Sequence, residues 1–190
     1  MTLCGNDIMT LHTENFRTFS RPGASRLILS DTEKKESKNT AIELIWRWTC
    51  KEAAFKILMK AGHQEAFSPS QFSVVAKIPP IFEEEKTITG SIFWENKRFF
   101  FQSDISQDYI YTLAFNCPKE KATKYSSIIY NETSINLDIL YSLTGRNYLA
   151  IQKTSRNIPY LSAISGEILN YDVSISNDEE FTAITIIPGL

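Results

Sequence analysis

Apolar residues recur at helical intervals through "AIELIWRWTCKEAAFKILMKAG", residues 41–62. Ile45, Trp48, Phe55 and Met59 fall on one stripe, the flanks are strong helix formers, and Gly62 ends the run. This predicts a long helix over about 40–61. Glu52 falls on the same stripe, between Trp48 and Phe55. A carboxylate walled by two aromatic side chains is costly unless something positive meets it.

The other periodic segments are shorter. "LCGNDIM" at 3–9 predicts a strand, with Gly5 permitting a close backbone approach. The polar stretch after it carries Arg17, Arg21 and Arg26, and Ser30 with Glu33 has the capping-box spacing of a helix start. "FSPSQFSVVAKI" turns through Pro69 into a strand that Pro79 and Pro80 break. "KTITGSIFWENKRFFFQSDISQDYIYTLAFN" predicts a hairpin through "ENK" and a third strand at about 109–115. Residues 117–134 carry no usable pattern. Leu137, Leu140, Leu143 and Tyr148 predict a second helix over about 135–153. A turn at "NIPYL" and strands in "YDVSISN" and "EEFTAITII" close the chain. Helices and antiparallel hairpins mix without βαβ regularity, which points to an α+β fold.

Composition narrows the function classes. At 190 residues, 43% hydrophobic and 12% aromatic, the chain is long and apolar enough for a packed core. A net charge of -2 argues against general affinity for nucleic acid or anionic membrane. The three cysteines, Cys4, Cys50 and Cys117, form no CxxC pair, so neither a disulfide framework nor a zinc site is expected. No apolar run approaches the roughly 18 residues of a membrane span. "MTLCGNDIMT" lacks the basic start and apolar stretch of a secretion signal, and the expected location is the cytoplasm.

Two carboxylates on separate elements, Asp7 and Glu52, have the chemistry of a magnesium site completed by phosphate and water. Lys51 and Lys56 lie on or beside the same helix face, within reach of phosphate oxygens. Glu52 and Lys56 also make an ordinary i,i+4 pair, and spacing alone does not separate the two readings.

The wording of the motifs goes further. "GNDIMTL" followed about 40 residues later by "WTCKEAAFKI" resembles the 4'-phosphopantetheinyl transferase superfamily. That superfamily carries G-x-D on its first strand and W-[ST]-x-K-E-[AS]-x-x-K on its long helix. Trp48, Thr49, Lys51, Glu52, Ala53 and Lys56 match the second pattern. The likeness is nearest to short, single-chain holo-(acyl-carrier-protein) synthase types. It is strong over residues 3–116, absent over 117–134 and weaker over 146–187.

The resemblance implies an enzyme that moves the phosphopantetheine arm of coenzyme A onto a carrier-protein serine, releasing adenosine 3',5'-bisphosphate. Asp7 and Glu52 would hold Mg²⁺, Glu52 would help take the serine proton, Lys56 would stabilise the phosphate in flight, and Lys51 would contact coenzyme A phosphates. Arg21 and Arg26 stand where the family places cations near the 3'-phosphate. Ser176 matches the serine of a C-terminal Ser-His pair, with Asn177 in place of the histidine; these two complete the expected coenzyme A contacts. Pro159 fits the family's Gly-x-Pro turn, with Asn157 in place of glycine. Met9 stands where larger members have a third acidic ligand.

The implied fold is two small halves, each an antiparallel sheet with a long helix, and coenzyme A between them. Residues 1–116 form the half with the metal motifs, 117–134 a connector, and 135–190 the other wall. The implied partner is an acyl or peptidyl carrier protein, and a monomer is expected. Two other classes stand beside this one. A non-catalytic relative would bind coenzyme A or a carrier protein without transfer, and Asn177 favours it. A metal-dependent nuclease built on Glu-x-Lys fits poorly, because Lys56 is four residues from Glu52 on a helix. His12 and His63 have no partner at metal-ligand spacing and are read as surface or packing residues. Trp46 and Trp48 are read as core residues, and "EEEK" at 83–86 as a solvated loop. "FWENKRFFF" is read as core strands rather than a nucleic-acid surface.

Overall fold

The computed structural model describes residues 2–76, 86–118, 125–131, 135 and 137–189. Strand β1 (Cys4–Thr10) leads into two short helices, α1 (Thr13–Phe19) and α2 (Ala24–Ile28), in the polar stretch where no element was expected. Helix α3 spans Ala41–Lys60, close to the predicted bounds. Thr40 caps it, its hydroxyl accepting from the Glu43 amide at 3.3 Å. The Ser30 and Glu33 box also forms: Ser30 N donates to the Glu33 carboxylate at 2.8 Å, and Glu33 N to Ser30 Oγ at 3.4 Å. It introduces a single 3₁₀ turn over Glu33–Lys35 rather than a full helix.

Strands β2 (Phe72–Ala76), β3 (Lys86–Trp94), β4 (Lys97–Ile105) and β5 (Tyr109–Phe115) follow, with the β3–β4 hairpin turning at "EN" as expected. Together with β1 they form an antiparallel sheet in the order β1-β5-β4-β3-β2, leaving β1 at one edge. The proline break at Pro79 and Pro80 and the acidic residues 83–85 lie outside the described residues.

The second half departs from expectation in two places. Part of the segment read as a connector forms β6 (Ser126–Tyr130), and the second helix is much shorter than predicted: α4 covers Leu137–Thr144 only. Gly145 and Tyr148 then take positive φ, 67° and 61°, which breaks the helical path, and the chain continues as β7 (Leu149–Lys153). Tyr148, read as part of the helix stripe, is exposed. Strands β8 (Pro159–Ala163), β9 (Tyr171–Asp178) and β10 (Phe181–Pro188) complete the fold. Among the described residues β6-β10-β9 form a second antiparallel sheet and β7-β8 a hairpin. The architecture is α+β, but among the described residues only the first half has a long helix.

One core packs Leu44, Ile45, Trp46, Ala53 and Ile57 of α3 against Ile92, Phe101 and Ile110 of the first sheet. A second joins Ile8, Leu113 and Phe115 to Ala183 and Ile187 of β10. A third lies under α4 and the β7–β8 hairpin, around Leu140, Leu149, Leu161, Val173 and Ile184. Burial explains the weak one-sidedness of α3: most of its girth is covered, and only the stripe through Trp48, Glu52, Phe55 and Met59 stays half-open. Among the described residues no helix is long and apolar enough to cross a membrane.

Candidate functional site

The edge of β1 decides where the candidate residues meet. Its amides at Cys4, Asn6, Ile8 and Thr10 point away from β5, so each needs an acceptor from elsewhere. Strand β9 runs alongside at a constant offset of 168 residues and supplies one side chain to each. The Asp172 carboxylate accepts from Cys4 N at 2.6 Å, Ser174 Oγ from Asn6 N at 2.8 Å, Ser176 Oγ from Ile8 N at 3.2 Å, and the Asp178 carboxylate from Thr10 N at 2.6 Å. The carbonyls on the same edge are met from α3. Lys60 Nζ donates to Cys4 O at 2.6 Å and Lys56 Nζ to Asn6 O at 2.8 Å.

Close packing makes this possible. A Cβ on Gly5 would stand 2.0 Å from the Ala53 carbonyl oxygen, so only glycine lets α3 lie this near β1. The expectation of a close approach at Gly5 is met.

Asp7 and Glu52 come together in the gap between β1, α3 and β9. Lys56 Nζ lies 3.1 Å from Asp7 Oδ1 and 3.9 Å from Glu52 Oε1. Ser176 Oγ donates to Asp7 Oδ1 at 2.7 Å. Burial is the main cause that raises the Asp7 carboxyl above its usual range; Lys56 and Ser176 oppose it, and the Asp178 charge adds to it. Burial and then the charge of Asp7 push Glu52 up to about 7, against the pull of Lys56 and of a hydrogen bond from Trp48. Two carboxylates thus share one ammonium and remain short of positive charge. Among the described residues no group of three or more His, Cys, Asp or Glu stands ready for a metal. The donor set is two hard carboxylates, one of them part-exposed, which fits a magnesium ion that takes its other ligands from water and phosphate.

Along the seam, where α3 runs antiparallel to β1, separate pockets lie on either side of the gap. Beyond Met9 and Trp48, at the C-terminal end of β1, a cleft of about 660 Å³ is lined by Phe19, Arg21, Arg26 and Leu27. Toward the N-terminal end of β1, beyond Lys56, a groove of about 140 Å³ is lined by Met59, Lys60, Arg156, Ile158 and Pro159. Comparison with known proteins finds no match among family models, curated proteins or solved structures.

The predicted site residues divide. Asp7, Glu52, Lys56 and Ser176 converge, and Arg21 and Arg26 line the adjoining cleft. Lys51 does not reach the site, which corrects its expected contact with coenzyme A. One residue from Glu52, it projects elsewhere around the helix and is fully buried, donating to Ile28 O at 2.6 Å and to Glu33. With Glu33, Glu43 and Arg47 it forms a neutral buried network: Arg47 bonds Glu33 at 2.8 Å and Glu43 at 3.1 Å. Asn177 is a second correction. Alternation along β9 turns it away from Asp7, and its amide donates to Thr182 at 2.7 Å. Asn157 adopts φ 61°, a conformation that glycine takes most easily and asparagine tolerates, so the chain keeps the turn without the glycine.

Asp172, Ser174, Asp178 and Lys60 were not singled out from sequence. Their signal was present in "YDVSISND", where every second residue is polar, and in the repeat of lysine at 56 and 60. Such alternation ordinarily marks a solvated strand face, and here it marks the seam between two sheets. Of the isolated histidines, His63 packs on Trp94 with centroids 4.8 Å apart, and His12 Nε2 lies 3.3 Å from Glu180.

Proposed function

We propose that the protein is a magnesium-dependent 4'-phosphopantetheinyl transferase acting in the cytoplasm, with coenzyme A as donor and a carrier-protein serine as acceptor. The observation that carries this reading is the convergence of Asp7, Glu52, Lys56 and Ser176, from three separate segments, within one cluster of hydrogen bonds and ion pairs. The flanking pockets support it as well. An apolar cleft with two arginines suits a nucleoside with its 3'-phosphate, and a groove on the far side suits the arm. One chain supplies the whole cluster, so the reading needs no second copy.

In this reading Asp7 and Glu52 would hold Mg²⁺, which would supply positive charge for the phosphoanhydride cleavage. The carrier serine Oγ bonds to the phosphorus that bears the arm. The bond from that phosphorus to the bridging oxygen breaks, and adenosine 3',5'-bisphosphate leaves with the electron pair. Glu52, directly or through a water, takes the serine proton. Lys56, beside Asp7, would meet the phosphoryl oxygens, and Ser176 donates to Asp7. Positioning and electrostatics supply most of the acceleration.

The second reading is a relative that binds coenzyme A or a carrier protein without transfer. Two observations favour it: Asn177 faces away from the cluster, and Lys56 is engaged in holding the β1 edge. Intact-mass spectrometry of an apo acyl carrier protein incubated with the protein, coenzyme A and Mg²⁺ separates the two. Transfer predicts a mass gain of one phosphopantetheine that Glu52→Ala abolishes. Coenzyme A binding with no gain on several unrelated carriers selects the second reading.

A further inference from the structure

The first sheet has a second face, turned away from α3. Residues of β3 and β4 alternate between the two faces. Trp94, Phe99 and Phe101 are buried on the helix side, while Phe93, Arg98 and Phe100 stand on the outer one. Part of "FWENKRFFF", read from sequence as core strands, therefore lies on an outer surface. Over β1 and β5 the second sheet covers that surface, where Cys4, Ile8, Leu113 and Phe115 pack against Ala183 and Ile187. Among the described residues the cover does not extend to the far strands: Val75 of β2 and Phe93 of β3 stay 58% and 38% exposed. At the step between covered and uncovered strands lies a cleft of about 360 Å³, lined by Ser91, Arg98, Phe100, Gln102, Phe115 and Pro118.

Arg98 is held in place before anything binds. Its guanidinium carbon lies 4.6 Å from the ring centroid of Phe100 and 5.7 Å from that of Phe93, and its Nε donates to Ser91 Oγ at 3.0 Å. Among the described residues no carboxylate pairs with it. Asp104, on the same face, is engaged by Thr87 and Gln102 and stands six residues further along β4, about 20 Å away at the rise of an extended strand. A guanidinium fixed at Nε and over its plane still presents its Nη edge, the part that grips an oxyanion in two parallel hydrogen bonds. Phe115 and Pro118 add flat apolar walls beside it, and the volume lies at the lower end of small-ligand sites. We infer that this cleft binds a small organic oxyanion, a phosphate monoester or carboxylate carried on a flat ring, with Arg98 as the anion clamp. The site stands apart from the transferase reading, because Gly5 and Asp7 meet α3 on the other side of the sheet.

The test is NMR of the isotope-labelled full chain titrated with phenyl phosphate, benzoate, inorganic phosphate and phenol. Phenyl phosphate or benzoate should saturate, with shifts centred on the amides of Ser91, Phe100 and Gln102, and the tighter of the two tells a phosphate ligand from a carboxylate one. Inorganic phosphate lacks the ring and phenol lacks the charge, so each should bind at least about tenfold more weakly. Arg98→Lys keeps the charge but not the fork and should weaken binding about tenfold, and Arg98→Met should abolish it. Position 98 is exposed, and thermal melts check that both variants fold. No saturation by either ring compound, or an affinity that Arg98→Lys leaves unchanged, overturns the proposal. Shifts centred on Arg21 and Arg26 overturn it too, by assigning the probes to the other cleft. A single-stranded oligothymidylate that binds more tightly than phenyl phosphate, with shifts spreading to Val75 and Phe93, overturns it in favour of an extended nucleic-acid face. Transfer at Asp7 and Glu52 is read separately by mass spectrometry, so either reading can fail while the other stands.

Discussion

Replacing Gly5 with alanine is the sharpest test of the seam between β1 and α3. The added methyl would lie 2.0 Å from the Ala53 carbonyl oxygen, 3.0 Å from its carbon and 3.2 Å from Lys56 Cβ. The first two are backbone atoms in the middle of a 20-residue helix, so no rotamer change relieves the clash. Helix α3 must withdraw by about 1 Å or more, enough to forfeit a large fraction of the dispersion energy across the contact. Overpacking of this kind costs about 1–3 kcal/mol. The same shift stretches the Lys56 and Lys60 bonds to Asn6 O and Cys4 O, worth about 1 kcal/mol each or somewhat more. A total of roughly 3–5 kcal/mol is expected, a large share of the stability of an ordinary domain. Urea unfolding followed by tryptophan fluorescence measures it through the shift in midpoint at constant slope. Gly62→Ala is the control: it sits at φ 96° in open space, where only backbone strain of about 1 kcal/mol applies. A Gly5→Ala loss no larger than that of Gly62→Ala would refute the close-approach argument.

Four further outcomes follow from the same geometry. Because the folded-state Glu52 carboxyl lies above its unfolded value, its contribution to stability is fully present below the unfolded pKa, near 4.5, and is lost as pH rises through about 7; Glu52→Gln should therefore gain most relative to wild type at pH 8 and least at pH 4.5, by up to a few kcal/mol, in urea titrations at both pH values. Lys56→Met keeps the apolar stem but leaves Asp7 with Ser176 alone; because burial already raises the Asp7 carboxyl, stability should fall by about 1–3 kcal/mol and by less as the pH is lowered; a loss independent of pH would count against a charged Asp7. Arg47→Met leaves buried Glu43 without its ion-pair partner and Glu33 with Lys51 alone, and should cost about 3–5 kcal/mol by chemical denaturation. Mg²⁺ should raise the melting temperature of wild type more at pH 8 than at pH 6, since both carboxylates must be ionised to hold it, and should leave Glu52→Ala unmoved.

Much of the first half was readable from local pattern. The bounds of α3, the three strands after residue 86 and the need for a small residue at Gly5 follow from periodicities that a single segment carries, because burial there is set by one helix on one sheet. The second half was harder to read. Leu137, Leu140 and Leu143 suggested a helix through to residue 153, but left-handed residues at 145 and 148 turn the chain into a strand whose partners lie six to fourteen residues further on.

The identity of Asp7, Glu52 and Lys56 as candidate residues came from the sequence alone, since a carboxylate on an apolar stripe and a lysine four residues later are visible in any window. Their company was decided by tertiary structure. Ser176 reaches Asp7 across 169 positions because β9 lies along the unpaired edge of β1, and that contact depends on the backbone amides of β1 seeking acceptors, which no window of sequence displays. Lys51 and Lys56 look equivalent as letters. Their positions around α3 send one into a buried ion network and the other to the gap beside Asp7, because 3.6 residues per turn separate neighbours in space that are close in the chain.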